Sequence, residues 1–312
     1  MTDTVRLAAA QSSYHALVIR GANREVWGWG SNRFGLLGDG TSQARATAVA
    51  MTTSASGNPA VTNALAVAGG LDHSLVLLAD GTMIAAGYNG AGALGDGTVT
   101  SRNRAVAVVD LTGVTAIAAG RYFSLALRND GTVWAWGDNS QGALGDGTFT
   151  NRLRPVQVTG LANIVAIAAG EQFALAVDAG GEVWSWGQND VGQLGDGSGL
   201  ARRNLPGKAA VSGVQAVTAG RQHALALLSD GSLRAWGGNT SGQLGVGDQM
   251  ARSTPVAVGG LSVVKAVAAG FVHTLAIDSA DNVWAWGNNN TGESGLGSNE
   301  SFVTTPQLLP GP

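Results

Sequence analysis

The four histidines are the side chains best suited to chemistry, and all of them fall at one position of a repeated sequence. They are His15, His73, His223 and His273, and two other copies of the repeat carry Phe123 and Phe173 at that position. Imidazole is a common metal ligand and a general acid or base near neutral pH, so a ring of histidines could support either role. Because phenylalanine replaces histidine, and equivalent positions of neighbouring copies are well separated, we interpret these residues as packing side chains. We therefore predict no metal site and no catalytic residue.

Arginine and aspartate also recur, after and within a glycine-rich turn. An arginine stands five residues after the second glycine of each G-D-G or G-V-G turn, at Arg45, Arg102, Arg152, Arg202 and Arg252. An aspartate stands inside four of these turns, at Asp39, Asp96, Asp146 and Asp196. The planar fork of arginine could bind a phosphate or a carboxylate. The regular recurrence favours a structural role, in which these side chains satisfy loop carbonyls and one another.

The composition excludes several classes of protein. A net charge of −3, from 18 basic and 21 acidic residues, argues against a broad basic surface, so a nucleic-acid partner is not expected. The absence of cysteine excludes disulfides, thiolate metal sites and a thiol nucleophile. No apolar run is long enough to span a membrane, and the start lacks the pattern of a signal peptide. We expect a cytoplasmic protein with no membrane partner and no cofactor, or a secreted or surface-exposed one if the chain is part of a longer protein.

A repeat of 50 residues organises the chain. It is marked by the glycines that close an alanine-rich segment, Gly70, Gly120, Gly170, Gly220 and Gly270. A sixth, longer copy precedes them, so that six copies fill a single predicted domain over 1–312. The predicted repeat boundaries are approximately 5–63, 64–113, 114–163, 164–213, 214–263 and 264–312.

Each repeat contains the pattern of four short antiparallel strands. In the third repeat these are Val114–Ala119, Ser124–Arg128, Thr132–Trp136 and a segment near Pro155. The pair Asp130-Gly131 between two alternating runs is a strong hairpin signal, because glycine tolerates the positive φ of such turns. Repeated units of four short strands are typical of propeller blades. The sequence therefore predicts an all-β fold, a β-propeller of six four-stranded blades.

Three details of this propeller follow from the residue types. The alanine-rich first strand is expected next to the axis, where small side chains fit the crowded centre. The nine tryptophans, all in W-x-W-G segments or their variants, are expected to pack between blades. The last segment, Thr304 to Leu309, is expected to supply the fourth strand of the first unit and so close the ring.

The consensus of the repeat, VxAVAAGxxHxLAL…DGxVWAWGxNxxGQLGDG, resembles that of the regulator of chromosome condensation family over nearly the whole chain. The resemblance implies a β-propeller, and because familiar members have seven blades, it leaves open a seven-bladed ring with a missing or partner-supplied unit. The founding member of the family is a nucleotide exchange factor for a small GTPase that also binds chromatin, through an inserted β-wedge and a tail. The insertion of this chain is MTTSASGNPAVTN, and a basic tail is not seen. The resemblance thus implies a scaffold for binding proteins without assigning the family's activities.

Positions that vary between the copies indicate where a partner could bind. Strand direction places two variable segments at the same end of the propeller: the turn after the first strand, near the axis, and the loop after the third strand, at the rim. The predicted partner-binding residues are Tyr14, Arg33, Phe34, Asp72, Arg121, Tyr122, Glu171, Gln172, Arg221, Gln222 and Phe271. Tyrosine and arginine are enriched at interface hot spots.

The function favoured by this pattern is a non-enzymatic binding module that recognises a macromolecule, most readily a protein. One alternative is an enzyme or small-molecule binder with an axial pocket lined by the histidines, with Asp72 and Glu171 as further acid–base groups. That alternative requires the histidines to face solvent. Another alternative is a structural repeat segment of a longer protein. No oligomeric state is predicted.

Overall fold

The protein folds into six four-stranded antiparallel sheets that are arranged as blades in a ring, a six-bladed β-propeller. The structure is a computed structural model that describes residues 14–297 and 300–310 in full and the backbone of residues 6–9. The predicted start of the first repeat, at residue 5, lies outside the described residues. Among the described residues there is no helix with the length and apolar character that a membrane crossing requires.

The first three blades are built from consecutive strands. Blade 1 contains β1 (Arg6–Ala9), β2 (His15–Arg20), β3 (Glu25–Gly30) and β4 (Arg45–Ala50). Blade 2 contains β5 (Ala64–Gly69), β6 (His73–Leu78), β7 (Met83–Gly87) and β8 (Arg102–Ala107). Blade 3 contains β9 (Val114–Ala119), β10 (Phe123–Arg128), β11 (Val133–Gly137) and β12 (Arg152–Gln157).

The last three blades repeat this order. Blade 4 contains β13 (Ile164–Ala169), β14 (Phe173–Asp178), β15 (Val183–Gln188) and β16 (Arg202–Lys208). Blade 5 contains β17 (Val214–Ala219), β18 (His223–Leu228), β19 (Leu233–Gly237) and β20 (Arg252–Ala257). Blade 6 contains β21 (Val264–Ala269), β22 (His273–Asp278), β23 (Val283–Asn288) and β24 (Phe302–Leu308).

The strands predicted for the third repeat are confirmed, with boundaries that differ by one residue at most where both ends were predicted. The hairpin between β10 and β11 turns at Gly131, which has a φ of 76° as the Asp-Gly signal requires. The fourth strand is confirmed at the sheet edge. Pro155 is tolerated there because an edge strand does not need an N–H donor at every position. The strands of this repeat are determined by local sequence, namely the alternation of apolar and polar residues and the residues of the turns.

The first strand of each blade lies innermost, and the first strands of successive blades contact one another around the axis. An axial cavity of about 210 Å³ is bounded there by residues of four blades, among them Val67, Ala118, Ile167 and Thr218. The expectation that alanine-rich strands surround the axis is therefore confirmed.

The hydrophobic core lies between the blades rather than inside one of them. One cluster joins Phe123 and Leu125 of blade 3 to Ala174 and Trp186 of blade 4, all of them 0 to 1% exposed. The histidine or phenylalanine ring packs directly on the glycine that closes the first strand. A Cβ added at Gly120 would lie 2.0 Å from the Phe123 ring, so the recurring glycine leaves room for this ring.

The prediction that Thr304 to Leu309 completes the first blade is wrong. Strand β24, which contains most of this segment, pairs with β23 of its own blade, and the fourth strand of blade 1 is β4. Each of the six sheets thus takes all four strands from one continuous stretch of chain.

Candidate functional site

The turns that follow the first strands and the loops that follow the third strands emerge at the same end of the propeller, here called the top face. The strands of each blade are antiparallel and consecutive, so alternate connections must lie at the same end. The turns between the second and third strands, such as Asp130-Gly131, lie at the opposite end, the bottom face.

A relay of main-chain hydrogen bonds links the top-face turns from blade to blade around the axis. The amide of Leu71 donates to the carbonyl of Arg121 at 3.2 Å, and the amide of Arg121 donates to the carbonyl of Glu171 at 2.8 Å. The relay continues from Glu171 to Arg221 at 3.0 Å and from Arg221 to Phe271 at 2.9 Å. These bonds fix the backbone that carries the predicted residues.

Asp72 joins the rim of the top face to the region near the axis. Its carboxylate accepts hydrogen bonds from Arg33 Nε at 2.8 Å and Nη2 at 2.5 Å, and one from the Tyr122 hydroxyl at 3.4 Å. The Asp72 side chain is 4% exposed, whereas that of Arg33 is 60% exposed. The hydrogen bonds and charge of Asp72 raise the pKa of Arg33. A buried carboxylate thus holds an exposed guanidinium in a fixed position.

Three aromatic rings form a row on the same surface. Phe34 and Tyr88 have ring centroids 5.0 Å apart, and so do Tyr88 and Tyr122. An arginine lies over each end of the row, Arg33 at 4.9 Å from the Phe34 centroid and Arg121 at 5.3 Å from the Tyr122 centroid. All three rings are partly exposed. The row spans blades 1, 2 and 3.

Glu171 extends the arrangement to blades 4, 5 and 6. It forms ion pairs with Arg121 at 3.3 Å and with Arg221 at 2.8 Å, and its side chain is 10% exposed. Arg221 in turn lies 5.0 Å from the centroid of Phe271, which is 37% exposed. Arginines and aromatic rings therefore alternate along one continuous surface, around buried carboxylates. We call the following eight side chains the arginine–aromatic arc: Arg33, Phe34, Tyr88, Arg121, Tyr122, Glu171, Arg221 and Phe271.

The remaining predicted residues also lie on the top face, outside the arc. Tyr14 is 89% exposed, and Gln172 and Gln222 are partly exposed. Asp72 and Glu171 differ from the expectation of exposed contact residues, because the arginines around them cover both carboxylates. Tyr88 is not among the predicted residues, although its aromatic ring beside a variable loop is a sequence signal that points to it.

The histidines lie between blades and do not line the axial cavity. His73 Nε2 is 3.0 Å from the Ser124 hydroxyl of the next blade, and the His15–Ser74 and His223–Thr274 pairs have the same arrangement. Burial lowers the pKa of His73 to about 4 and that of His223 to about 3. The interpretation of the histidines as packing residues is confirmed. The alternative of an axial pocket lined by histidines is wrong, because these side chains are buried between blades and do not reach the axis.

The recurring arginines and aspartates stabilise the loops, as expected. In blade 3, Arg152 forms an ion pair with Asp146 at 2.7 Å, and Asn139 donates to the same carboxylate at 3.1 Å. Although partial burial opposes it, hydrogen bonds from Thr148 and Arg152 hold the pKa of Asp146 below its usual value.

In blade 4, the arginine that pairs with the loop aspartate is not the predicted one. Its Asp196 pairs with Arg203 at 2.6 Å. Arg202, the residue that the spacing selects, instead stacks at 4.5 Å on the Phe149 ring. The pairing moves by one residue because the strand register differs between the blades: Gly187 pairs with Arg203 in blade 4, whereas Gly137 pairs with Arg152 in blade 3.

Across the parts of the chain with described side chains, no group of three or more histidine, aspartate or glutamate residues is placed to hold a metal ion. The top face presents guanidinium groups, aromatic faces and ordered main-chain groups.

Successive four-stranded blades around an axis, with varied side chains gathered at one end, define a tandem-repeat β-propeller. The sequence models described as "Regulator of chromosome condensation (RCC1) repeat" match residues 130–177, 180–227 and 230–277, and also 114–143, 164–193, 214–243 and 264–293. Together these matches cover more than half of the chain, which belongs to the RCC1 repeat family.

Solved structures show the same fold. Human WBSCR16 is 24% identical, with a TM-score of 0.83, over 98% of this chain and 83% of that one. Yeast RCC1 (Prp20), solved with Kap60 bound, is 23% identical, with a TM-score of 0.82, over 98% of this chain and 75% of that one. Prp20p from Saccharomyces cerevisiae, described with its binding to Gsp1p and histones, is 23% identical, with a TM-score of 0.81, over 97% and 76%. At these identities the likeness concerns the fold. No curated protein matches the chain in sequence.

Proposed function

We propose that the protein is a non-enzymatic binding module that recognises a protein partner through its top face. The observation that carries the proposal is the arginine–aromatic arc, in which Arg33, Arg121 and Arg221 lie against aromatic rings and are held by buried carboxylates. Yeast RCC1 (Prp20), solved with Kap60 bound, and Prp20p, described with its binding to Gsp1p and histones, support a binding role for the fold.

The arc has the physical properties of an interface hot spot. Tyrosine and arginine dominate binding energy at protein interfaces, and the energy is greatest where side chains are ordered before binding. Arg121 is ordered in this way, because Glu171 holds its guanidinium on one side and the Tyr122 ring lies against it. The three arginines outnumber the two carboxylates, so this surface favours a partner segment with acidic and apolar side chains.

The double variant Arg121→Ala with Tyr122→Ala tests the proposal. Both side chains are partly exposed, and the main-chain relay does not depend on them, so the fold should persist. We expect capture of the partner from lysate, followed by titration of the identified protein, to show binding at least about tenfold weaker, since two hot-spot side chains are removed.

The matched control is Arg128→Ala with Asp130→Ala on the bottom face, which also removes an ion pair, one of 2.9 Å between partly exposed side chains. This control should bind as the unmodified protein does. Equal binding by the top-face variant, with an unchanged melting temperature, would refute the assignment of the partner to this face.

A further inference from the structure

The outermost strand of each blade contains one residue, here called the outward position, whose main-chain N–H and C=O point away from the blade. It directly precedes the residue that pairs with the third strand, as Ala105 of blade 2 precedes Val106, the partner of Ala85. Successive residues of a strand present their main-chain groups to opposite sides, so the residue before the paired one faces outward. An N–H in this position at a sheet edge is free to pair with another strand.

Four of the six blades carry a proline at the outward position. They are blades 3, 4, 5 and 6, with Pro155, Pro206, Pro255 and Pro306. Proline has no N–H to donate, and its use on edge strands is one of the ways in which proteins prevent edge pairing. At these four edges an added strand would therefore lack a hydrogen-bond donor.

Blade 2 has an alanine at the outward position, and a segment of the insertion covers it. The amide of Ala105 donates to the carbonyl of Thr52 at 2.9 Å, and the carbonyl of Ala105 accepts from the amide of Ser54 at 3.1 Å. Thr53 thereby forms a parallel bridge with Ala105. An alanine at the outward position thus binds an extended segment through both of its main-chain groups.

Blade 1 also has an alanine at the outward position, Ala48, and its N–H donates to no acceptor in the part of the chain that the structure describes. Ala48 directly precedes Val49, which pairs with Gly28. Residues 46–48 are exposed, and residues 46–50 carry no charged side chain. The edge of β4 therefore lacks both the proline and the charges that commonly prevent edge pairing.

We propose that the outer edge of β4 binds an extended segment of a protein partner, which adds to blade 1 as a fifth, parallel strand. The contact at blade 2 supplies the geometry. The partner residue opposite Ala48 takes the place that Thr53 has at Ala105. The carbonyl before that residue accepts from the Ala48 amide, and the amide after it donates to the Ala48 carbonyl.

The occupant is a flexible segment rather than the edge of a second propeller, because the cover of blade 2 is itself a short extended stretch of the insertion. The small, uncharged side chains of β4 fit a segment with small or β-branched uncharged residues, such as Thr52–Ser54. The site shares no residue with the arginine–aromatic arc, so it does not depend on the proposed function of the top face.

A peptide with the sequence of residues 50–55 serves as the probe, added to the isotope-labelled protein and followed by NMR. We expect it to shift the Ala48 amide signal and to slow the exchange of that amide with solvent. A nitroxide at the N-terminus of the peptide should broaden the signals of Arg45 more than those of Ala50, because a parallel strand starts at the same end as β4. The opposite pattern would overturn the parallel arrangement.

Ala48→Pro gives blade 1 the residue that four other blades carry at this position, so the fold should persist with an unchanged melting temperature. The variant should bind the peptide at least about tenfold more weakly, since one main-chain hydrogen bond is lost and the proline ring occupies the edge. Methylation of the peptide nitrogen that corresponds to Ser54 should weaken binding to the unmodified protein by a similar factor, and this measurement does not require a variant to fold.

The matched control is Pro255→Ala in blade 5. Strand β20 has the sequence Arg-Ser-Thr-Pro-Val-Ala and differs from β4, Arg-Ala-Thr-Ala-Val-Ala, at two residues. The control should therefore gain a second peptide site, which raises the stoichiometry from one to two. Equal binding by Ala48→Pro, or no effect of the methylated nitrogen, would overturn the proposal. Dimerisation of the protein that Ala48→Pro abolishes would also overturn it, in favour of a second copy as the occupant.

Discussion

Lowering the pH from 7 to 5 should destabilise the propeller strongly, because three imidazoles buried between blades must gain protons on unfolding. Burial lowers the pKa of His15 to about 3, that of His73 to about 4 and that of His223 to about 3. The nearby His73 lowers the pKa of His15 further. An imidazole in an unfolded chain has a pKa of about 6.5.

The direction of the effect follows from these values. Between the folded and unfolded pKa values the unfolded chain binds more protons, so stability is complete above about pH 6.5 and falls as the pH decreases below it. Because pH 5 lies about 1.5 pH units below the unfolded pKa and above the folded one, stability at pH 5 is lower by about 2 kcal/mol for each histidine, or about 6 kcal/mol for three. That loss is comparable to the entire stability of many domains, about 5 to 15 kcal/mol.

The titration of the carboxylates does not contribute to the change in stability between pH 7 and 5. Hydrogen bonds from neighbouring side chains and amides, opposed by partial burial, hold the pKa of Asp39, Asp96 and Asp146 below the usual value of 3.8. These groups are ionised in both the folded and unfolded states at pH 5, so their contribution to stability is lost only at lower pH.

Urea unfolding, followed by tryptophan fluorescence at intervals between pH 7 and 5, measures the effect. The free energy of unfolding should fall by about 4 kcal/mol per pH unit near pH 5, the value for three protons. The variant His73→Phe with Ser124→Ala reproduces the natural Phe123–Ala174 pair and should remove about one third of this slope. An unchanged slope in that variant, or constant stability down to pH 5, would refute the reasoning.

Three further substitutions test the packing and the loops, each by urea unfolding at pH 7. Gly120→Ala should destabilise by about 2 kcal/mol or more, because the new Cβ would meet the Phe123 ring; an unchanged midpoint would contradict the close approach. Trp236→Phe should cost about 2 kcal/mol through a lost buried hydrogen bond and contact area, whereas Trp29→Phe should cost less than about 0.5 kcal/mol, because Trp29 is only partly buried and its indole N–H donates to no acceptor in the described part of the chain; equal costs would contradict this difference between the two indoles. Asp146→Ala should cost about 2 kcal/mol, since it leaves buried loop donors unpaired, and a neutral result would contradict the structural role of this aspartate.

The repeat, the strands and the top-face location could be predicted because they depend on local patterns. Hairpin residues such as Asp130-Gly131 set each turn, and the alternation of strand directions places two variable segments at one end. The role of the histidines was also accessible, since phenylalanine at the same position indicates a ring that fills space.

The contacts between blades could not be predicted in the same way. The approach of Arg33 to Asp72 depends on the rotation of blade 1 against blade 2, which no pattern within one repeat specifies. The choice of Arg203 over Arg202 depends on a register shift in β16, and no pattern within the repeat specifies whether β24 pairs with its own blade or with the first one. The buried state of Glu171 follows from two arginines that reach it from neighbouring blades.

The main-chain relay around the top face makes the contacts between blades independent of the side chains that the turns carry. Its hydrogen bonds join backbone atoms of Leu71, Arg121, Glu171, Arg221 and Phe271, so the same bond forms with an aliphatic, a basic, an acidic or an aromatic residue. Mutations at these positions can therefore change which surface is presented while the joints between blades are preserved. If the top face binds a partner as proposed, single substitutions at these positions would change partner preference without loss of the fold.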